Sequence, residues 1–364
     1  MRQHFSEYFR PTEAEKKSIW EGAIFVFDTN VLLNMYRMSR ETCDAIMGIL
    51  KSLKSRLFLP HQVGVEFFRH REEEIARQVN AFESVRRHLR KVSASFIETF
   101  PRHACIPIPK ILDTLKDCTN KLIDEVDKSQ DANQLNYFVH PDPILPELAD
   151  VFGDLSEGPY TKAEDDSLNK KVDERVQQNL PPCWIGEGEK ANKPKAVKGD
   201  GLNRLSDHPH RGDGRVWFQI VKHAGEKKKP IIFITGDQKP NWWRVQRLGS
   251  KDQIIGPHFQ LIRDVESESG QRFLMYTQEG FLAEAPKYLG VPEQVKAIEE
   301  IKQIREIADA EKETDQEAES KEEDTGLQVE AMEKYTDSIA EDESSLLEKS
   351  EDKESDISET KGGL

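Results

Sequence analysis

The stretch AIFVFDTNVLLNMY, residues 23–36, decides the fold class. An apolar run typical of a buried strand ends at Asp28, and Thr29, Asn30 and a second apolar run follow directly. A carboxylate at this place has two explanations. The turn from a strand into a helix favours Asp as the N-cap, and open α/β sheets place their functional sites at the carboxyl ends of the strands. Further acids at the same edge of the sheet would favour the second explanation.

The following sequence alternates between helix and strand patterns. Apolar spacing over 31–53 predicts one or two helices, the sequence SRLFLP at 55–60 predicts a second strand, and a helix begins at His61. Residues 231–234 form a third continuous apolar run. This alternation predicts an α/β fold, a three-layer sandwich with a mostly parallel central sheet whose strands end at one edge.

Two further strands are predicted near the end of this domain, which we place at 10–290. They are the sequences HFQLI at 258–262 and RFLMYT at 272–277, and a helix is expected near EGFLAEAPKYLG at 279–290.

Residues 70–180 have an almost purely helical pattern, which predicts an inserted helical hairpin. Two apolar stripes at helical spacing would cover each other, and the Pro-containing sequence at 101–110 separates them. The stripes consist of Ile75, Val79, Phe82, Val85, Leu89, Val92 and Phe96, and of Ile111, Leu115, Cys118, Leu122 and Val126. Residues 181–212 are rich in Gly, Pro, Lys and Asn, so we predict a long mobile loop there.

The acidic character of the chain is concentrated at its C-terminal end. The formal net charge is −15, and the residues from 291 onward include 25 acidic and 9 basic side chains, whereas 43 basic and 42 acidic side chains precede them. We predict a helix over 291–310 and a disordered acidic tail over 311–364, because few apolar residues are available there to offset the entropy of ordering. The tail could inhibit the protein as an internal polyanion, increase its solubility or bind a protein partner.

The cysteine pattern and the absence of long apolar segments indicate the cellular compartment of the protein. The four cysteines are scattered without a CxxC pair, which excludes a zinc knuckle and a disulfide scaffold and favours a reducing environment. The first residues do not have the pattern of a signal peptide, and no segment resembles a membrane span. We therefore expect a cytoplasmic protein without a membrane partner.

Four acids stand where such a fold would bring them together. Asp28 and Asp237 each follow a buried strand, Glu66 lies early in the helix after the second strand, and Asp213 stands in a Gly-flanked turn at the start of a helix. Clustered carboxylates repel one another unless cations neutralise them or some acids stay protonated. Oxygen-only ligands suit Mg²⁺ or Mn²⁺, which can generate a hydroxide and hold a phosphodiester for in-line attack.

Four sequence motifs in the same order carry a resemblance to a known family. They are FVFDTNVLLNMY at 25–36, PHQVGVEFFRHR at 60–71, RGDGRVWFQI at 211–220 and IIFITGDQKPNWW at 231–243. With these motifs, roughly residues 10–285 resemble the PIN-domain nucleases, in particular the PIN-like group with a helical insertion.

The resemblance implies a metal-dependent nuclease that acts mostly on RNA, as an endoribonuclease. In such an enzyme Asp28, Glu66, Asp213 and Asp237 would be the catalytic, metal-binding acids for Mg²⁺ or Mn²⁺. The amide of Asn30 and the hydroxyl of Thr235 would orient them. PIN-like proteins of this size also occur in bacterial toxin and anti-phage defence settings.

Two features depart from the family pattern. The interval between Glu66 and Asp213 is longer than in a compact PIN domain, so the substrates of small toxin-like members cannot be transferred to this chain. Members often have Asp where this chain has Gly236, which predicts one acid fewer.

Basic residues suggest how nucleic acid would be bound. Lys239, two residues after Asp237, would either contact the scissile phosphate or reduce the local negative charge. A set of arginines begins three residues after Glu66 and would either hold nucleic acid or form a solvated helix face. The set comprises Arg69, Arg71, Arg86, Arg87 and Arg90.

Other functions remain open to different degrees. A phosphohydrolase of the haloacid dehalogenase type would need an acid where Asn30 stands, and Thr235 and Asp237 share one turn instead of lying on separate strands. An inactive PIN-like scaffold that binds RNA or a protein is the main alternative, although none of the four acids is missing. A structure-specific DNA nuclease is a lesser alternative.

Overall fold

The computed structural model describes residues 1–2, 4–100, 102–133, 142–183, 209–249, 251–308 and 310. The chain divides into two units, Met1–Lys302 and Gln303–Leu364, and the first contains the α/β fold. The tail predicted at 311–364, and residues 184–208 of the predicted loop, lie outside the described residues.

The central sheet has four strands in the order β2-β1-β3-β6, and all of them are parallel. The predicted α/β fold with a mostly parallel sheet is confirmed. The predicted second strand is shorter than the sequence suggested. The strands are β1 (Ile24–Phe27), β2 (Leu57–Phe58), β3 (Ile231–Thr235) and β6 (Phe273–Thr277).

Helices surround this sheet or extend from it within the described residues. Short 3₁₀ turns link some of them, for example at Asn34–Tyr36 and Gly153–Leu155. The helices are α1 (Glu13–Gly22), α2 (Thr29–Leu33), α3 (Arg40–Leu53), α4 (His61–Thr99), α5 (Ile108–Asn133), α6 (Ile144–Phe152), α7 (Lys162–Gln177), α8 (Pro209–Lys227), α9 (Phe259–Ser269) and α10 (Gln278–Leu289).

Aromatic side chains pack helices against both faces of the sheet. Trp20 of α1 contacts Phe25 of β1 on one face, with 5.5 Å between the ring centroids. Phe233 of β3 points to the other face, because its register partner is Val26, the neighbour of Phe25. There it contacts Trp242 at 5.1 Å, and Trp217 of α8 packs beside Trp242. The sheet is therefore the middle layer of a three-layer sandwich.

The insertion contains the predicted helical hairpin, formed by α4 and α5, but part of the predicted contact surface is wrong. Val85 and Val92 are exposed, and the polar residues Arg86 and Ser93 face α5 in their place. The contacting face of α4 follows alternating steps of four and three residues, the repeat of a coiled coil. On α5, Ile111 and Leu122 are likewise exposed, contrary to the prediction.

Three local predictions between α7 and β6 are also wrong. The helix α8 begins at Pro209, so residues 209–212 are not part of a loop and Asp213 lies inside the helix. HFQLI is not a strand, because the buried residues of α9, among them Leu261 and Val265, recur at helical spacing.

The sequence did not indicate an antiparallel hairpin that precedes α9. Its strands are β4 (Trp243–Leu248) and β5 (Lys251–Pro257), and they form a sheet of their own. A further helix covers residues 295–308. Among the described helices, none has the length and apolar content needed to cross a membrane.

Candidate active site

Asp28 joins the ends of β1 and β3, and both explanations of its position apply. It is the N-cap of α2, where its Oδ1 accepts a hydrogen bond from the backbone N–H of Thr29 at 2.8 Å. Its Oδ2 accepts from the Thr235 hydroxyl at 2.6 Å and from the Asn30 amide at 2.7 Å. The side chain is only 8% exposed. Asp28 is therefore fixed by three donors at the carboxyl edge of the sheet.

The turn after β3 is built on the same residues. The backbone N–H of Gly236 donates to Asn30 Oδ1 at 2.7 Å, and the N–H of Asp237 donates to the Thr235 hydroxyl at 3.0 Å. A Cβ at position 236 would lie 3.0 Å from Asn30 Oδ1, so the glycine allows the two loops to approach closely. Asn30 and Thr235, which the resemblance implied as orienting residues, thus connect the two strand ends.

Asp237 projects from this turn with a basic neighbour. Its Oδ1 accepts from the backbone N–H of Lys239 at 2.8 Å, and its Oδ2 lies 3.5 Å from Lys239 Nζ. The lysine side chain is 57% exposed, whereas that of Asp237 is 17% exposed. A largely exposed positive charge therefore lies beside Asp237.

Glu66 reaches the same edge from the second turn of α4. Its Oε2 accepts from the Thr29 hydroxyl at 3.1 Å and its Oε1 accepts from the Gln62 amide at 2.8 Å. The backbone of α8 passes close by, since a Cβ at Gly212 would lie 2.5 Å from Glu66 Oε1. Glycine at this position leaves room for the Glu66 carboxylate where it lies against α8.

Asp213 follows Gly212 within α8. Its Oδ2 accepts from the Asn241 amide at 3.0 Å. A Cβ at the next residue, Gly214, would lie 2.6 Å from Cys183 Sγ. The two glycines beside Asp213 therefore serve close packing inside a helix, not the turn that the sequence suggested.

The four acids influence one another electrostatically. The pKa of Asp28 is raised to about 6: burial is the largest cause, the charges of Glu66 and Asp237 add to it, and the Thr235 hydrogen bond opposes the shift. Burial also raises the pKa of Asp213 well above its usual value, with contributions from Asp237, Asp28 and Glu66 and opposition from Lys239. Like charges at close range have this effect on carboxyl groups. The structure thus places the four sequence-predicted acids within electrostatic reach of one another.

The donor chemistry of this site fits Mg²⁺ or Mn²⁺, because four carboxylates supply only oxygen ligands. The acids are not gathered around one point, however. Within the part of the chain that the structure describes, no group of three His, Cys, Asp or Glu side chains is arranged so that it could hold a metal ion.

Comparison with known families decides the class of the domain. The family model of the PIN-like domain matches residues 24–257. The chain belongs to the PIN-like domain family. The match begins at β1 and ends at the last residue of β5, so it includes all four acids and the helical insertion. No curated protein and no solved structure matches the chain significantly.

The arginines of the PIN-like domain's insertion differ in their surroundings. Arg71 forms an ion pair with Asp142, and Arg86 Nη2 lies 2.7 Å from Asp127 Oδ1 of α5. Arg87 and Arg90 are exposed on α4, and Arg69 is half-buried. The predicted set therefore contains two residues that have acidic partners inside the protein.

Several residues around the acids of the PIN-like domain were not identified from the sequence. Gln62 and Thr29 bind Glu66, and Asn241 binds Asp213. Behind Gln62 lies the buried Arg215, whose Nε donates to Gln62 Oε1 at 2.8 Å. The spacing of four residues between Gln62 and Glu66 was a usable signal, since such residues are neighbours on a helix. The long-range contacts left no local signal.

Proposed function

We propose that this protein is a metal-dependent nuclease that hydrolyses phosphodiester bonds, with RNA as the favoured substrate. The observation that supports this proposal is the meeting of Asp28, Glu66, Asp213 and Asp237 at the carboxyl edge of a parallel sheet. They come from four separate elements, and the pKa values of Asp28 and Asp213 are raised in part by the charges of the other acids. Membership in the PIN-like domain family, whose members are usually nucleases, adds to this support.

The four acids would hold Mg²⁺ or Mn²⁺. Such ions supply an activated water and neutralise negative charge at the phosphate. The chain contributes the orientation of the acids: Thr235 and Asn30 hold Asp28, and the shared hydrogen bonds keep the ends of β1 and β3 together. The exposed ammonium group of Lys239 would contact a phosphate oxygen of the substrate.

Exposed arginines on α4 would hold the nucleic acid backbone. Arg87 and Arg90 lie on the hairpin, and the helix that carries them also carries Glu66. Phosphate contacts position a nucleic acid without reading its sequence. Arg69, three residues after Glu66, would continue this surface toward the acids. Arg71 and Arg86 would support it indirectly through their ion pairs.

The test is cleavage of purified total RNA in the presence of Mn²⁺, followed by mapping of the new ends. Asp28→Asn should reduce cleavage by several orders of magnitude, because stabilisation of the phosphoryl centre is mainly electrostatic. Asp113→Asn changes an exposed acid of α5 and should leave cleavage unchanged. Cleavage by Asp28→Asn at the wild-type rate would exclude the proposed site. Structured DNA in the same assay examines the lesser alternative.

An inactive scaffold that binds RNA or a protein is the second candidate. The observation in its favour is that the described acids are not arranged as a complete metal site. Addition of Mn²⁺ separates the two functions, because a ligand that binds only the folded protein raises its melting temperature. A nuclease site should give a rise that Asp28→Asn reduces, whereas a scaffold should give the same small response in both proteins.

A further inference from the structure

A buried polar cluster is connected to Glu66 through Gln62. Its centre is Arg215 of α8, which is 2% exposed. The guanidinium group donates to Gln62 Oε1 at 2.8 Å and to Asn169 Oδ1 at 2.6 Å, and it forms an ion pair with Asp165. Asp165 and Asn169 belong to α7 of the insertion, so three elements meet at one charge.

This cluster fixes the orientation of the Gln62 amide. A guanidinium group can only donate, so the atom of Gln62 that faces Arg215 must be the carbonyl oxygen. The amide nitrogen is then the atom that faces Glu66 Oε1, at 2.8 Å. The ambiguity between oxygen and nitrogen that usually affects such side chains is absent here.

The backbone of Gln62 is held by α8 as well. Its N–H, one of the free donors in the first turn of α4, donates to Gln219 Oε1 at 3.0 Å. Gln219 and Arg215 lie one turn apart on α8. Both ends of Gln62 are therefore bound to the helix that also carries Asp213.

We infer that Gln62 and Arg215 are positioning residues that set the side-chain orientation of Glu66. Asp165 and Asn169 keep Arg215 in place, so the insertion takes part in organising the acids. This inference deepens the proposed function: Glu66 would be presented to a metal ion with Oε1 held by Gln62 and Oε2 held by Thr29.

The pairing of Gln62 with Glu66 can be tested without metal or substrate. Gln62→Glu keeps an acceptor for Arg215 but places a second acceptor against Glu66 Oε1. In the presence of a chelator, this variant should melt about 3 °C below the wild type, as expected for a loss on the order of 1 kcal/mol. The double variant Gln62→Glu with Glu66→Gln reverses donor and acceptor. It should recover most of the lost melting temperature. Equal melting temperatures for the single and double variants would overturn the pairing.

The positioning role is tested by titrating Mn²⁺ and measuring its affinity from electron paramagnetic resonance. Outer-shell changes typically weaken metal binding by about 10- to 100-fold. Gln62→Glu should lie in this range, and Asp165→Asn should weaken binding in the same direction. The matched control is Asp166→Asn, which changes the adjacent exposed acid of α7 and should have no effect.

The outcomes separate this inference from the proposed function. Wild-type affinity for Mn²⁺ in both folded variants, Gln62→Glu and Asp165→Asn, would overturn the positioning role while the nuclease proposal stands. If the wild type binds no Mn²⁺ but the exchange of residues 62 and 66 restores stability, the orientation of Glu66 is supported and the metal-dependent function is excluded.

Discussion

The arginine cluster and the acid site use buried charge in opposite ways. Arg215 has an ion pair with Asp165 and two further side-chain acceptors, whereas the buried Asp28 and the half-buried Asp213 lie near other acids. Burial of a charge is costly unless a partner and hydrogen bonds compensate it. The first cluster is thus compensated within the chain, and the second has an excess of negative charge. The comparison separates what holds the fold together from what is available to a ligand.

Breaking the compensated cluster should have the largest effect on stability. Arg215→Met removes the partner of Asp165 and leaves the acceptor oxygens of Gln62 and Asn169 without their donor. We expect a loss of about 3 kcal/mol in the free energy of unfolding, measured by urea denaturation. Arg211→Met breaks the more exposed ion pair with Asp173 and should cost less than about 1 kcal/mol. Similar losses in the two variants would contradict the distinction between the buried and the more exposed ion pair.

A half-buried histidine is a base whose charged form the fold disfavours. His223 stacks on Phe58 with 3.6 Å between ring centroids, and burial lowers its pKa from 6.5 to about 4, helped by Lys227 and Lys222. The unfolded chain therefore binds more protons between these pH values, so this contribution to stability is present above pH 6.5 and is lost as the pH falls toward 4.

His223→Phe should remove that part of the acid sensitivity, on the order of 2 kcal/mol between pH 7 and pH 4. The measurement is urea denaturation at both pH values, with His88→Phe on the exposed surface of α4 as the control. An unchanged difference between the two pH values in His223→Phe would show that this ring is not the acid-sensitive group.

Relieving the uncompensated cluster should stabilise the protein when no cation is bound. Asp213→Asn keeps an acceptor for Asn241 and removes one charge from the acids. Because the pKa of Asp213 is raised, the ionised acid opposes folding as the pH increases. With a chelator at pH 8 we expect a gain on the order of 1 kcal/mol, decreasing toward pH 4.

The same variant should lose the response to Mn²⁺, so the order of melting temperatures should reverse when the ion is in excess. A destabilised Asp213→Asn protein under chelating conditions would contradict the idea that its charge opposes folding.

Charges on the hairpin extend the comparison to solvent-exposed residues. Replacement of Arg87 and Arg90 by Ser should reduce the slope of log affinity for single-stranded RNA against log salt by about 0.7 for each lost phosphate contact. Arg86→Ser should mainly destabilise the hairpin, because Arg86 binds Asp127 and Gln130 of α5. An unchanged salt slope in the double variant would show that the exposed arginines form only a solvated face.

The sequence was sufficient for the strands β1, β3 and β6 and for the positions of Asp28 and Asp237 after two of them. Continuous apolar runs at β1 and β3 are required by strands that are covered on both faces, and a carboxylate after each run is a local pattern. The acids could be placed at one edge because parallel strands end on the same side. This reasoning needs only the order of strands and helices, which the spacing of apolar residues predicted.

Other features depend on contacts that periodicity does not contain. Val85 and Val92 looked like core residues, but the coiled-coil repeat placed Arg86 and Ser93 against α5, where they have polar partners. The segment at 258–262 is short enough to fit a strand or a helix. The residues that orient the acids were missed for a different reason. Gln62 and Arg215 are far apart in the sequence, and their relation appears only when α4 and α8 are packed together.

The length of α4 has a mechanical consequence. The helix continues from His61 to Thr99, and no Pro or Gly interrupts it after Glu66. Kinks in helices are almost always caused by such residues or by local irregularities. The part of α4 after Glu66 is therefore a stiff helical segment about 50 Å long. A tilt of about 5° at Glu66 would displace the C-terminal end of α4 by roughly 4 Å. Because α4 is one continuous helix, a force applied at the outer end of the hairpin would tilt the turn that carries Glu66.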